Sequence, residues 1–343
     1  MKALVLKEYQ RLTVEEIPVP VVQPDEVLVR VRACGICGSD VHGYDGSTGR
    51  RIPPVIMGHE AAGEIAETGS GVTGWGRGDR VTFDSTIYCG RCWHCLRNDV
   101  NLCDNRRVIG VSCGEYRRDG AFAEYIAVPA RILYRLPQNL AFGEAALVEA
   151  VSVALHAVNR SPVSAASSAV VVGSGMIGLL IIQVLRAKGC ARIVAIDVDE
   201  SRLEAARRHG ATEAFSSAAA NLAASVRELT GGRGADIAFE AVGLAPTLGI
   251  AIECTRKGGS ITLVGNVSPS VELPLQAIVT RELTLVGTCA SSGEYPECLE
   301  MISRGAVDVA SLVSAAAPLS EGAGWFRRLH AREKGLMKVL LVP

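Results

Sequence analysis

Residues 168–185 read SAVVVGSGMIGLLIIQVL, and no other stretch limits the fold as tightly. A short β-branched run ends in Gly173-Ser174-Gly175-Met176-Ile177-Gly178, and an apolar helical pattern follows. This is G-x-G-x-x-G in the strand–turn–helix setting that gives it meaning. Gly173 allows the tight turn, Gly175 lets the backbone approach a pyrophosphate, and Gly178 lets helix and strand pack closely. The helix N-terminus then faces the phosphates. The next strand, residues 192–196, ends at Asp197. An acid about 20 residues beyond the glycines is placed to bond both hydroxyls of an adenosine ribose. Its charge repels a 2′-phosphate, and Val198 follows it rather than an arginine. The pattern therefore favours NAD over NADP.

The alternation continues through ESRLEAARRHG (helix), ADIAFEAVG (strand), PTLGIAIECTRKGG (helix), SITLVG (strand) and ELTLVGTCA (strand). Strands alternating with helices imply an α/β domain, a parallel sheet wound on both faces, over residues 151–286. Ligands of such sheets sit at the carboxyl ends of the strands. Val264, Gly265, Thr288 and Cys289 lie at two such ends and can border a nicotinamide.

The chain has 343 residues, enough for two domains, and a formal net charge of −1. That balance gives no footprint for nucleic acid or an anionic membrane surface. The apolar run in MKALVLKEYQ is too short for a signal peptide. Residues 176–185 include Gln183 and precede Arg186, which suits a buried helix rather than a membrane span. A cytoplasmic protein is expected. Four of the eleven cysteines stand together in YCGRCWHCLRNDVNLC. Cys89, Cys92, Cys95 and Cys103 are spaced C-x2-C-x2-C-x7-C. In a reducing compartment such spacing favours metal over disulfides. Four thiolates suit a tetrahedral zinc with no open position, hence a structural site. The residues between them are too polar to build a core, so the metal supplies the stability. His94, with four cysteines already available, reads as a solvated loop residue.

Residues 1–150 look different. Short alternating runs (KALVLK, EVLVRVRA, DRVTF, FAEYIAV) separated by Gly and Pro turns indicate a β-rich barrel or sandwich. Within it, Cys37, His59, Glu60 and Glu149 supply sulfur, nitrogen and oxygen donors. Three protein ligands and a labile position are what a catalytic zinc needs. Taken singly, each has a plain structural reading: Cys34 and Cys37 as small buried apolar groups, Ser39 or Asp40 as a helix cap, His59 as a bonded core histidine. Glu149 stands in an apolar helix, ALVEAVSVALHAV, where a charge needs a partner. Beside a dinucleotide fold, the joint reading is preferred. Adjacent strand residues point to opposite faces, so His59 and Glu60 can both ligate only if the chain turns there, as Gly58 allows.

CGICGSDVH, GHEAAGEI, the four-cysteine lobe, ALVEAVSVALHA and VVVGSGMIG together resemble the zinc-dependent medium-chain dehydrogenases, which include alcohol, sorbitol and threonine dehydrogenases. The resemblance covers essentially the whole length. It implies a GroES-like catalytic domain (1–150, lobe 88–104), a Rossmann domain (151–286) and a segment (287–343) returning to the first domain. By position, Cys37, His59 and Glu60 match catalytic-zinc ligands. Glu149 matches an exchangeable fourth ligand or a residue holding the metal's water. Ser39 and His42 match a proton relay, and Ile177, Asp197 and Arg202 match cofactor contacts. Two zinc ions per chain, NAD and a homodimer or homotetramer are implied. CGICGSD and the Glu60/Glu149 pair look most like the sorbitol dehydrogenase branch. The chain departs from it at the substrate: polyol members carry Tyr where Gly43 stands, and an Arg-Tyr pair at Ala290 and Ser291. Arg50, Arg51, Arg117 and Arg118 are available as substitutes, for instance for a carboxylate or phosphate. The expected reaction is NAD-dependent oxidation of a secondary alcohol: a polyol, a sugar derivative or a related compound. The alternatives are a threonine- or sugar-phosphate-type dehydrogenase, a non-enzymatic binder on the same scaffold, or a zinc-free reductase. The complete ligand and relay sets disfavour the last two.

Overall fold

The computed structural model describes residues 1–114 and 117–343. The chain falls into two units, one of residues 1–149, 292–304 and 309–343, the other of residues 150–291 and 305–308.

In the second unit, strands Ser168–Val172, Arg192–Asp197, Glu213–Ser216, Ala235–Glu240, Thr255–Leu263 and Thr284–Gly287 form a parallel sheet. Among the described residues their order across the sheet, counted along the chain, is 3-2-1-4-5-6. This is the doubly wound order of dinucleotide-binding folds. Ala169 to Val172 are all buried, because helices cover both faces of a parallel sheet. The helix Met176–Ala187 is buried continuously from Gly178 to Leu185. Gly178 permits that approach: a Cβ there would stand 1.8 Å from Gly173 O. One expected element differs. TRKGG does not continue the helix, which stops at Cys254; Thr255 is extended and begins the next strand. Gly258 adopts φ +65°, and the register with Ala235–Glu240 slips between Ala235 and Ile237. A β-branched residue followed by two glycines favours this irregular strand start over a last helical turn.

The first unit is built on the ten-residue strand Glu26–Gly35, whose Val27, Val29 and Val31 enter its core beside Ile65, Val81, Phe122 and Leu341. It pairs antiparallel with Glu60–Thr68, Tyr125–Pro129 and Lys338–Val342. Its end matters most. Gly35 lies opposite Glu60 on one side and Leu340 on the other. Three segments remote in sequence therefore meet where the strand turns into the short helix Gly38–Tyr44. Among the described residues, no helix is long and apolar enough to cross a membrane.

Candidate functional site

Two groups of ligating side chains, each with its donor atoms within 4.8 Å of one another, occur among the described residues: Cys37, His59 and Glu60, and the four cysteines of the lobe. Cys37 stands at the N-cap of helix Gly38–Tyr44. Gly58 takes φ +92° and turns the chain just before His59, so two consecutive residues can serve one point. Gly35 leaves the space Glu60 needs, since a Cβ there would stand 2.3 Å from Glu60 Oε2. The trio offers one sulfur, one imidazole and one carboxylate, a donor set that suits zinc.

The trio is braced by charges. Asp40 is fully buried; its Oδ1 lies 3.4 Å from His59 Nδ1, and its Oδ2 accepts the Cys37 N–H at 3.2 Å. Facing His59 with Nδ1 on the Asp40 side leaves Nε2 as the free nitrogen. Burial would raise the Asp40 pKa, but His59 and Arg51 outweigh it and hold the carboxyl well below its usual range. Burial likewise opposes a charge on His59, and Asp40 and Cys37 overcome it. Lys338, absent from the sequence reading, donates its Nζ to both Glu60 oxygens at 2.8 Å and to Ile36 O at 3.1 Å. Both partners are buried, at 3% and 1% side-chain exposure. Its only local signal is a lysine opening an apolar strand, KVLLV.

Glu149 does not join the trio. It accepts from Ser85 Oγ at 3.4 Å, and burial, with the Glu60 charge, outweighs His59 to raise its pKa. Ser39 and His42 lie on helix Gly38–Tyr44, Ser39 exposed and His42 half-buried. The suggested arginine substitutes divide. Arg50 is exposed. Arg51 is buried and bound to Asp40 and Ser39; Arg118 is bound to Glu26 at 2.5 Å; Arg117 donates to Pro54 O at 2.8 Å. Arg51 and Arg118 are thus committed to carboxylates of the chain itself.

In the lobe, Cys92 Sγ lies 3.4 Å and Cys89 Sγ 3.9 Å from Cys95 Sγ, and Cys103 Sγ accepts the Cys89 N–H at 3.2 Å. The Arg91 N–H does most to lower the Cys89 pKa to about 6, whereas burial pushes Cys95 up to about 12. Four converging thiols fit a closed tetrahedral metal. His94 is half-buried, its Nε2 3.9 Å from Asp104.

The second unit holds the glycine-rich turn. Gly173 has φ +96°, and a Cβ on Gly175 would meet nothing within 4 Å, so the backbone there faces open space. Ile177 and Gly178 follow in the first turn of helix Met176–Ala187. Asp197 ends its strand, 6% exposed, and accepts from Ser174 N at 2.6 Å and Asp199 N at 3.0 Å. Arg202 is exposed on helix Glu200–His209. Val264 and Gly265 both donate their N–H to Glu240 O; Thr288 donates its N–H to Leu263 O, its hydroxyl buried without a partner; Cys289 is exposed.

Two family models match the chain: the alcohol dehydrogenase GroES-like domain over residues 23–138, and zinc-binding dehydrogenase over residues 177–304. The sorbitol dehydrogenase of Bacillus subtilis (strain 168) is 34% identical over 348 residues, 100% of this chain and 97% of that protein. Galactitol-1-phosphate dehydrogenase from Escherichia coli matches in structure with a TM-score of 0.92 at 29% identity, covering 100% of both chains. A zinc-binding dehydrogenase from Sinorhizobium meliloti 1021, solved with NADP, gives 0.92 at 31% identity, with 100% of this chain and 99% of that one covered.

Proposed function

Because the chain belongs to the zinc-dependent medium-chain polyol dehydrogenase family, whose members are alcohol and polyol oxidoreductases, we propose that it transfers a hydride between a secondary alcohol and NAD. The observation that carries this is the convergence of Cys37 with the consecutive pair His59-Glu60, with Ser39 two residues from Cys37. These three side chains would hold one zinc, and Cys89, Cys92, Cys95 and Cys103 a second, structural one. When bound, the zinc supplies a Lewis acid for the alcohol oxygen and the nicotinamide accepts the hydride. The chain's own part is to orient and to move a proton. Asp40 holds the His59 ring, and Lys338 balances the charge of Glu60. Ser39 Oγ takes the alcohol's proton as its own hydrogen moves on towards His42 and solvent. Glu149 approaches from a distant helix as an exchangeable ligand or holds water.

The first unit is read as the catalytic domain and the second as the cofactor domain. Asp197 supports NAD over NADP, since its carboxylate suits free ribose hydroxyls and repels a phosphate. Asp197→Ala is expected to weaken NAD binding by about 10-fold or more, the worth of a hydrogen bond to a charged group, and to narrow the gap to NADP. Equal use of both cofactors by the native chain would contradict this. The reading extends to a cytoplasmic homo-oligomer. Oligomerisation is supported by exposed Val267, Val271, Leu273, Leu275 and Val279 in one segment. The test is NADH absorbance with a panel of polyols, sugar phosphates and amino alcohols, with and without chelator. Turnover that resists complete zinc removal, or none with any alcohol, sinks the proposal.

A further inference from the structure

A cation that the proposed chemistry does not use pairs with Asp40, the acid behind the metal trio. Arg51 is 3% exposed, and its Nε has no hydrogen-bond partner. Its stem crosses Gly43 so closely that a Cβ there would stand 2.1 Å from Arg51 Cγ. The space beside Gly43 is here filled by an arginine from another segment. The Arg51 Nη2 donates to Ser39 Oγ at 3.2 Å and to Asp40 Oδ1 at 3.1 Å. The same carboxylate faces His59 Nδ1 at 3.4 Å and accepts the Cys37 N–H at 3.2 Å. One guanidinium thus reaches the relay serine directly and two metal ligands through a single acid.

We propose that Arg51 is a positioning residue for both the proton relay and the metal site, with Gly43 providing its channel. This rests on reading Cys37 and His59 as zinc ligands and Ser39 as the relay. The chemistry of the groups supports it. A hydroxyl has one hydrogen and two lone pairs, and a guanidinium only donates. The lone pair of Ser39 turned to Arg51 is therefore filled, and the hydrogen must point elsewhere. One lone pair and one hydrogen remain, which is what a relay needs: it accepts the alcohol's proton and releases its own. On the other branch, Arg51 keeps the buried Asp40 carboxylate paired and aimed. Asp40 in turn fixes the His59 ring and the Cys37 backbone. The planar fork can serve two acceptors from one anchored stem, which an ammonium does less well.

The experiment uses the zinc-loaded full chain and the variants Arg51→Gln, Arg51→Lys and Gly43→Ala, with Cys37→Ser as the control on the site itself. Zinc release to a chelator, kcat, KM and the solvent deuterium isotope effect on kcat are measured. In Arg51→Gln, zinc is expected to leave the trio about 10–100-fold faster, the usual effect of losing a group behind a ligand. The fall in activity should appear in kcat rather than KM, and the isotope effect should rise as proton transfer slows. Arg51→Lys should recover part of each change. Gly43→Ala, which pushes the stem aside and keeps the charge, should move every readout in the same direction. Where Arg51→Gln does not fold, these two variants decide by the same measurements. Native zinc release, kcat and isotope effect in Arg51→Gln, with Cys37→Ser emptying its site, would leave the site reading intact and overturn the inference. A change confined to KM for anionic substrates would make Arg51 a substrate contact and also overturn it. Zinc retained in the trio with turnover intact in Cys37→Ser would remove the site reading, and this inference with it.

Discussion

The two cysteine-bearing centres are built in opposite ways. The lobe gathers four identical donors from 15 consecutive residues, Cys89 to Cys103. Its loop makes short helical turns at Cys95–Arg97 and Val100–Leu102 and leaves Trp93 64% and Leu96 74% exposed. The trio gathers three different donors from two segments, Cys37 and the consecutive pair His59-Glu60, and its brace Lys338 is 278 residues from Glu60. The first centre organises the chain around it; the second is organised by the sheet. The lobe's ligands come from one continuous loop, whereas the trio gains its brace from a strand that joins only once the sheet has formed.

The sharpest way to break that contrast is Cys37→Ser. Turnover should fall to background and metal from about two to about one per chain, the lobe keeping its own, since one site is open and mixed and the other closed. Elemental analysis beside NADH absorbance checks it. Full activity in this variant would end the catalytic assignment. Next comes Lys338→Met, which leaves Glu60 buried without its cation. Denaturant unfolding should report a loss of about 3–5 kcal/mol, largely recovered in the double variant with Glu60→Gln. Cys92→Ser should loosen the lobe and cost on the order of 2–3 kcal/mol while the trio's metal stays bound. If turnover alone were lost, at unchanged thermal stability, the lobe would not be structural. The smallest effect is expected of Glu149→Gln, which stands outside the trio. Activity should fall about 10–100-fold with zinc retained; an emptied site would make Glu149 an obligatory ligand.

What could be read in advance follows the same division. The dinucleotide unit was legible because its signals are local: glycines, helix and acid lie within 25 residues, and each has one geometric use. The lobe was legible from spacing. The trio could be named through its family resemblance, but its supports could not. Asp40 looked like a helix cap, and it does accept the Cys37 N–H, yet its second oxygen serves His59 and Arg51. Arg51 looked like a free arginine because burial is not written in a residue's neighbours; IPPVIMG gives no hint that its stem lies over Gly43. Lys338 was invisible because strand pairing across nearly three hundred residues leaves no periodic trace.

The pairing of Lys338 with Glu60 has a consequence for the order in which the protein becomes itself. A ribosome adds about 5–20 residues each second, so roughly 15–55 s separate the making of Glu60 from that of its cation. Throughout that interval Cys37, His59 and Glu60 already exist on the growing chain, while the strand that completes their sheet does not. Until then the Glu60 carboxylate lacks this cation, and a lone charge is better tolerated in water than in the interior. The cation that balances Glu60 is thus supplied by the last strand of the sheet to be translated.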